Sequence, residues 1–251
     1  MLWRGDWYGN GYREDLTVGI LDGRAAVVTG AGRGLGRVEA IELARHGAAV
    51  VVNDIGTTRD GTGRDTAPAE DTVAEIIGAG GRAMAHFGDV ADWEQSADLV
   101  RTAVDEFGAL DIVVNNAANA LAEPMGGITV AGFEKSFAVN VRGPVLLVQA
   151  CLPHLEASEH AAVVNVVSAG AFLPSPGRSL YAAGKAALLS FTRSMAAELA
   201  GRSIRVNALA PGPVDTDMVR NTGEAGLSSM ARATFMGRLA SPDEMVGAVL
   251  Y

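Results

Sequence analysis

Five short apolar runs, Ala25–Thr29, Ala49–Asn53, Asp111–Asn115, Ala161–Val167 and Ile204–Ala210, recur along the chain with stretches of helical periodicity between them, and a weaker sixth covers Arg82–Phe87. The runs are rich in valine and lack polar alternation. That is the pattern of strands covered on both faces, which belong to parallel sheets. Parallel neighbours need crossover connections, and the intervening segments are long enough for helices. The expected fold is α/β, a doubly wound parallel sheet. With 251 residues, 49% of them hydrophobic, the chain can bury the core of a single domain. Residues 1–22, with Trp3, Trp7, Tyr8 and Tyr12 among scattered glycines, stand outside this pattern. They read equally as a leader or as an arm packing on a neighbouring subunit. Residues 23–251 make the expected catalytic domain.

Directly after the first run comes Thr29-Gly30-Ala31-Gly32-Arg33-Gly34-Leu35-Gly36, followed by the helical pattern Arg37-Val-Glu-Ala-Ile-Glu-Leu-Ala. Glycines let the backbone turn sharply and approach a ligand closely, while the N–H groups opening the helix attract a pyrophosphate. Strand, glycine turn and helix together suggest a dinucleotide cradle, although the spacing departs from Gly-x-Gly-x-x-Gly and a plain tight turn has the same composition. The second run ends at Asp54, eighteen residues past Gly36. An acid there accepts hydrogen bonds from adenosine ribose hydroxyls and repels a 2′-phosphate, which favours NAD over NADP. Arg33, inside the turn, pulls the other way by welcoming a phosphate. Gly88-Asp89-Val90 and Asn115-Asn116-Ala117-Ala118 follow two further strands, at the edge where open parallel sheets place their ligands.

Tyr181 and Lys185 are four residues apart on a helical segment, so they share a face, and Ser168 ends the fifth run. A neighbouring ammonium stabilises phenolate and makes Tyr181 a candidate general acid or base. Taken alone, Tyr-x-x-x-Lys recurs by chance and reads as a helix-start aromatic beside a solvated lysine.

Composition excludes other classes. A formal charge of −9 and a pI near 4.9 leave no basic surface for nucleic acid, so the expected partner is a small molecule. No window is apolar enough to span a membrane. Cys151 is the only cysteine, and the first residues lack the apolar core of a signal peptide; together these lead us to expect a reducing, cytoplasmic setting. His46, His86, His154 and His160 lack ligand spacing, so no metal is expected. A serine hydrolase built on Ser168 would need a nucleophile elbow that is absent.

Thr29-Gly-x-x-x-Gly-x-Gly36, Asp89-Val90, Asn115-Asn-Ala117, Asn140, Ser168, Tyr181-x-x-x-Lys185 and Pro211-Gly212 occur in an order and spacing that resembles the classical short-chain dehydrogenases/reductases, over residues 23 to about 250. The resemblance implies a Rossmann-like sheet of order 3-2-1-4-5-6-7 and a catalytic tetrad of Asn140, Ser168, Tyr181 and Lys185. Tyr181 would exchange a proton with the substrate oxygen. Lys185 would lower its pKa and bind the nicotinamide ribose, Ser168 would hold the carbonyl or hydroxyl, and Asn140 would anchor a water. The resemblance also implies cofactor contacts from Gly30, Arg33, Gly34, Leu35, Gly36 and Asp54, with Asp89 and Val90 at the adenine and Asn115 and Ala117 supporting the pocket. Pro211, Gly212, Val214 and Thr216 would close over nicotinamide and phosphates. Homodimers or homotetramers would form through helices at about 130–158 and 180–200.

Three features depart from the family pattern. Ala118 stands where glycine is usual. The long loop at 55–69 is similar to that in the dehydrogenase part of peroxisomal multifunctional enzymes and in related hydroxyacyl-CoA or steroid-side-chain dehydrogenases. The sequence stops after the helix Met245–Tyr251, before the family's seventh strand, so either the chain is incomplete or the sheet has only six strands; the expected order over the given residues is 3-2-1-4-5-6. The segment Asp217–Arg238 carries Met218, Leu227, Met230, Phe235 and Met236, which read as core filler or as a lid with an apolar inner face. The leading expectation is an NAD(H)-dependent oxidoreductase acting on an apolar secondary alcohol or ketone, such as a hydroxyacyl thioester or hydroxysteroid. Its rivals are an NADPH-dependent 3-oxoacyl thioester reductase and a catalytically silent dinucleotide sensor or scaffold.

Overall fold

Valine stiffness at χ1 and burial on both faces turn the six runs into strands. In the computed structural model, which describes residues 19–57 and 63–250, these are β1 (Ala25–Thr29), β2 (Ala49–Asn53), β3 (Arg82–His86), β4 (Ile112–Asn115), β5 (Ala162–Val166) and β6 (Arg205–Leu209). They form one all-parallel sheet of order β3-β2-β1-β4-β5-β6. Order and orientation match expectation, with strand ends one residue inside the predicted runs at several places. The switch point lies at β1, flanked by β2 and β4, so the crevice for a ligand opens beyond the carboxyl ends of these strands.

The helices cover both faces. On one, α1 (Gly34–Arg45), α2 (Ala67–Gly78) and α9 (Asp243–Leu250) pack onto Val28, Val52, Val114 and Val166. On the other, α3 (Trp93–Phe107), α5 (Gly143–Ala157) and α6 (Ser179–Leu199) cover Val27, Val51, Val113 and Val163. Each fully buried valine stabilises the fold by about 1.5–3 kcal/mol relative to an exposed one. Leu21 joins the first cluster and its N–H donates to the His46 carbonyl at 2.8 Å, so packing begins two residues before the expected boundary at 23. The aromatic residues of the leader and positions 58–62 of the long loop lie outside the described residues. β6 is a sheet edge, with Asn207 and Ala208 exposed.

A buried polar chain crosses β4, β5 and α6. Asn115 Nδ2 donates to Asn165 Oδ1 at 2.8 Å, Asn165 Nδ2 donates to Thr192 Oγ1 at 2.9 Å, and that hydroxyl donates to the Leu188 carbonyl at 2.7 Å. Buried groups satisfied in this way fix one register between strands and helix. No described helix is long and apolar enough to cross a membrane.

Candidate active site

The β1–α1 turn is tied to the end of β4 by side chains. Asn116 Nδ2 donates to the carbonyls of Thr29 and Gly30 at 2.9 and 3.0 Å, and Thr29 Oγ1 accepts the N–H groups of Asn116 and Ala117 at 3.1 and 3.0 Å. Gly30 and Gly34 adopt φ of 63° and 57°, and a Cβ on Gly30 would meet the Ala117 Cα at 2.8 Å. At Gly36 a Cβ would lie 2.3 Å from Asn116 Nδ2, so this glycine lets the helix approach the strand ends. No side chain caps α1 at Arg33, which leaves its first N–H groups directed at the crevice. Side chains alternate along a strand, so Asn116 serves this corner while Asn115 points into the sheet.

A cavity of about 890 Å³ runs from this turn across the carboxyl ends of the strands. Gly30, Arg33, Gly34, Leu35, Asp54, Asp89, Val90, Ala117 and Thr216 line one end, and Ser168, Tyr181, Lys185, Pro211, Gly212 and Val214 the other. Asn115, Gly36 and Asn140 do not line it. Ala118 does, in the wall between the two ends. The glycine turn and the unpaired helix N–H groups fit the pyrophosphate of a dinucleotide. Thr216 comes within 3.5 Å of the place a Gly34 Cβ would take, so the segment after β6 folds over that turn.

Asp54 has its carboxylate fixed by two backbone groups: Oδ2 accepts the Gly32 N–H at 2.9 Å and Oδ1 the Gly56 N–H at 2.8 Å. Arg33 is matched by an acid of the long loop, its guanidinium donating to Asp65 Oδ2 at 3.2 Å. The Asp54 end of the cavity is therefore negative on balance.

At the far end, Ser168 caps a single 3₁₀ turn (Ala169–Ala171), its Oγ accepting the Gly170 N–H at 3.1 Å. The Ser168 hydroxyl stands beside the Tyr181 phenol and favours its ionised form. Lys185 is buried and donates from Nζ to the Val166 carbonyl at 2.7 Å; Nζ lies 5.9 Å from the centre of the Tyr181 ring. Without a bound ligand, burial pushes the Tyr181 phenol above its ordinary value, and the Ser168 hydroxyl and Arg178 charge pull it back only in part. The Lys185 ammonium is turned to a backbone carbonyl.

Asn140 lies on a π turn (Ala138–Arg142) between α4 (Val130–Phe137) and α5. Its Nδ2 donates to the Asn119 carbonyl at 2.8 Å and to Ser136 Oγ at 3.3 Å, and its Oδ1 accepts the Asn119 N–H at 3.1 Å. It thus clamps the loop after β4 from beneath the cavity. Gly184 makes this possible, because a Cβ there would stand 3.1 Å from the Asn140 Cβ. Neither Gly184 nor the Thr29–Asn116 tie was singled out in the sequence; a glycine inside Tyr-x-x-x-Lys was the available signal.

Of the lid candidates, Met218 lines the cavity with Val219, but Phe235 and Met236 are exposed to solvent. The segment breaks into α7 (Asp217–Arg220) and α8 (Gly223–Arg232), so its apolar residues do not form one continuous face. Among the described residues no group of His, Cys, Asp and Glu could hold a metal.

A sequence profile described as short chain dehydrogenase matches residues 24–226. An uncharacterized oxidoreductase of Methylorubrum extorquens is 36% identical over 92% of this chain and 90% of its own. A 3-oxoacyl-[acyl-carrier-protein] reductase of Synechocystis is 31% identical over 92% of this chain and 89% of its own. Among solved structures, a 7α-hydroxysteroid dehydrogenase in complex with NADH and 7-oxo glycochenodeoxycholic acid superposes with a TM-score of 0.84 at 32% identity, covering 92% of this chain and 87% of the other.

Proposed function

The chain belongs to the short-chain dehydrogenase/reductase family, and from that premise we propose that it exchanges a hydride between NAD(H) and the carbinol carbon of an apolar secondary alcohol, with Tyr181 as the proton-transfer group. Family membership makes it an NAD(P)-dependent oxidoreductase acting on CH–OH groups. One observation carries the finer reading: the Tyr181 phenol, beside Ser168 and next to Lys185, opens on the same cavity that begins at the glycine turn and Asp54.

When bound, the nicotinamide supplies the hydride donor or acceptor. The protein's residues manage the proton and the position of the substrate. Ser168 Oγ and the Tyr181 phenol bind the substrate oxygen together; in reduction the phenol gives its proton to that oxygen, and in oxidation the phenolate takes it back. Lys185, swung from the Val166 carbonyl to the nicotinamide ribose, stabilises the phenolate by its charge. Asn140 holds the loop after β4 that forms the floor. Asp54, and Asp65 neutralising Arg33, favour the ribose hydroxyls of NAD. Met218 and Val219 favour an apolar substrate such as a hydroxysteroid or hydroxyacyl thioester. Val130 and Phe133 on α4 and Phe191 on α6 expose apolar surface, which supports association into a homodimer or homotetramer through those helices. A second reading, NADPH-dependent reduction of a 3-oxoacyl thioester, draws on Arg33 in the turn and on the Synechocystis relative.

The test is the pH dependence in both directions. A phenol held above its ordinary value is protonated at neutral pH, so reduction has its acid ready, whereas oxidation depends on the minor phenolate form. kcat/KM for alcohol oxidation is expected to rise about tenfold per pH unit below the apparent pKa, and for ketone reduction to stay level and then fall at high pH. An oxidation rate independent of pH between roughly 6 and 9 would contradict Tyr181 as the base.

A further inference from the structure

His86, the last residue of β3, adjoins residues 88–91, the loop that lines the Asp89 end of the cavity. Its side chain is 10% exposed and both ring nitrogens are engaged. On one edge Nδ1 meets two donors, the Gly88 N–H at 3.2 Å and the Asn53 Nδ2 group at 3.1 Å. The orientation of that amide is fixed, because Nδ2 also donates to the Gly88 carbonyl at 2.9 Å and lies 3.4 Å from the His86 carbonyl. On the other edge Nε2 lies 3.3 Å from Asp98 Oδ2 of α3. A nitrogen facing two N–H groups serves as an acceptor, which puts the ring proton on Nε2, where Asp98 accepts it.

This arrangement pins the loop. Gly88 is held through its N–H by His86 and through its carbonyl by Asn53, and a Cβ there would stand 2.4 Å from His86 Cε1, so ring and backbone pack directly together. Beyond it the Asp89 N–H donates to Gln95 Oε1 at 2.9 Å, and Asp89 Oδ1 accepts the Ala91 N–H at 2.8 Å. The His86 carbonyl meanwhile accepts the Asp54 N–H at 3.0 Å. One residue thus joins Asp54 to the loop that faces it across the cavity's end.

A proton on Nδ1 would turn the acceptor into a donor opposed to two donors. Burial pulls the His86 ring below its ordinary value and Asp98 opposes this only in part, so the neutral ring is the resting form at neutral pH. Asp98 is the charge that faces the ring, and it is shared with Arg101 at 2.8 Å. The neighbouring elements place their other charges elsewhere. Glu70, Asp71 and Glu75 of α2 and Glu94, Asp105 and Glu106 of α3 are exposed, and Arg82 of β3 lies over the Phe107 ring. Asp54, after β2, is turned to the Gly32 and Gly56 N–H groups, Asp89 to Ala91, and Asp92 caps α3.

We propose that, within the dinucleotide site read under Proposed function, His86 is a positioning residue: its neutral ring, by accepting the Gly88 N–H at Nδ1, holds residues 88–91 in the shape that receives the adenosine half of NAD(H). A proton at Nδ1 releases the loop and weakens cofactor binding. The KM for NADH therefore rises on acidification, while kcat for reduction at saturating NADH stays level, because the Tyr181 end is untouched.

The test pairs NADH fluorescence titration of the full chain at about pH 7.5 and 5.5 with ¹⁵N-histidine spectra of the protein without cofactor. The chain has four histidines, and the His86 signals are those lost in His86→Asn. The spectra are expected to show the Nε2–H tautomer at His86. The wild-type Kd is expected to rise about five- to tenfold at the lower pH, with a midpoint that coincides with the His86 titration. Carboxylates stay largely ionised through this window, and no other histidine lines the cavity. In His86→Asn the amide oxygen takes the place of Nδ1, so the Kd is expected to stay within about twofold of wild type at the upper pH and to lose its pH step. His86→Leu, which has no acceptor, is expected to bind about five- to tenfold more weakly at both pH values. Should either variant fail to fold, the coincidence of the two wild-type midpoints decides alone. A proton on Nδ1 in the neutral protein, midpoints that differ, or a pH step that persists in folded His86→Asn overturns the proposal. Absence of NADH binding at either pH would refute the dinucleotide reading and the proposal with it, whereas NADH binding that is independent of pH would refute the role of His86 alone.

Discussion

Tyr181→Phe is expected to lower kcat by about 10²–10⁴-fold in both directions, the range that one positioned acid or base contributes, while leaving NADH binding unchanged. The ring fills the same volume in either residue, so the loss isolates the hydroxyl. The phenol is at the cavity wall beside Ser168, with Lys185 one helical turn on, and no other described tyrosine lines the cavity. The check is steady-state absorbance of NADH with wild type and variant, alongside NADH fluorescence titration. Equal kcat in the two proteins would remove Tyr181 from the chemistry, and loss of NADH binding would recast it as a cofactor contact.

The second large effect concerns cofactor choice. NAD(H) is expected to bind about 10²–10³-fold more tightly than NADP(H), because a 2′-phosphate at Asp54 would bring like charges together at a cost of several kcal/mol. Both oxygens of Asp54 are fixed by backbone N–H groups, so the carboxylate cannot swing aside without losing two hydrogen bonds. Asp54→Asn is expected to abolish most of the preference. Asp65→Asn, which releases Arg33 from its exposed partner, adds a smaller gain for NADP(H) of about fivefold or less. Fluorescence titration of both reduced cofactors decides: tighter binding of NADPH by the wild-type chain would overturn the assignment and favour the thioester reductase reading.

The sheet was legible in the sequence because its signal is local. Unbroken valine runs separated by helical periodicity have few other solutions, and the glycine turn lies where the first strand must end. The same holds for Tyr181 and Lys185, whose spacing alone puts them on one face of α6. What escaped is what depends on side-chain direction across elements. Asn115 and Asn116 are equivalent in the string, yet alternation sends one to Asn165 inside the sheet and the other to the glycine turn. Asn140 looks like a site residue in the sequence but lies beneath the cavity, clamping Asn119.

Charge was the least legible quantity. Glu39 sits in Arg37-Val-Glu-Ala-Ile-Glu-Leu-Ala, where nothing distinguishes it from Glu42; only the packing of α1 onto β1 and β2 buries the first and leaves the second able to pair with Arg45. Arg33 read as a phosphate-binding residue because its partner Asp65 stands thirty-two positions later in an irregular loop. The apolar residues of Asp217–Arg238 suggested one inner face. The break between α7 and α8 turns Phe235 and Met236 outward and leaves Met218 at the cavity.

The most direct measurement is isotope transfer. Protein supplied with NADH carrying deuterium at C4 of the nicotinamide and with a panel of 3-oxo and 7-oxo steroids and 3-oxoacyl thioesters is expected to yield at least one alcohol with deuterium at the carbinol carbon by mass spectrometry, and none in Tyr181→Phe over the same interval. Saturable NADH binding with no deuterium in any product would contradict the account and mark the chain as a dinucleotide sensor.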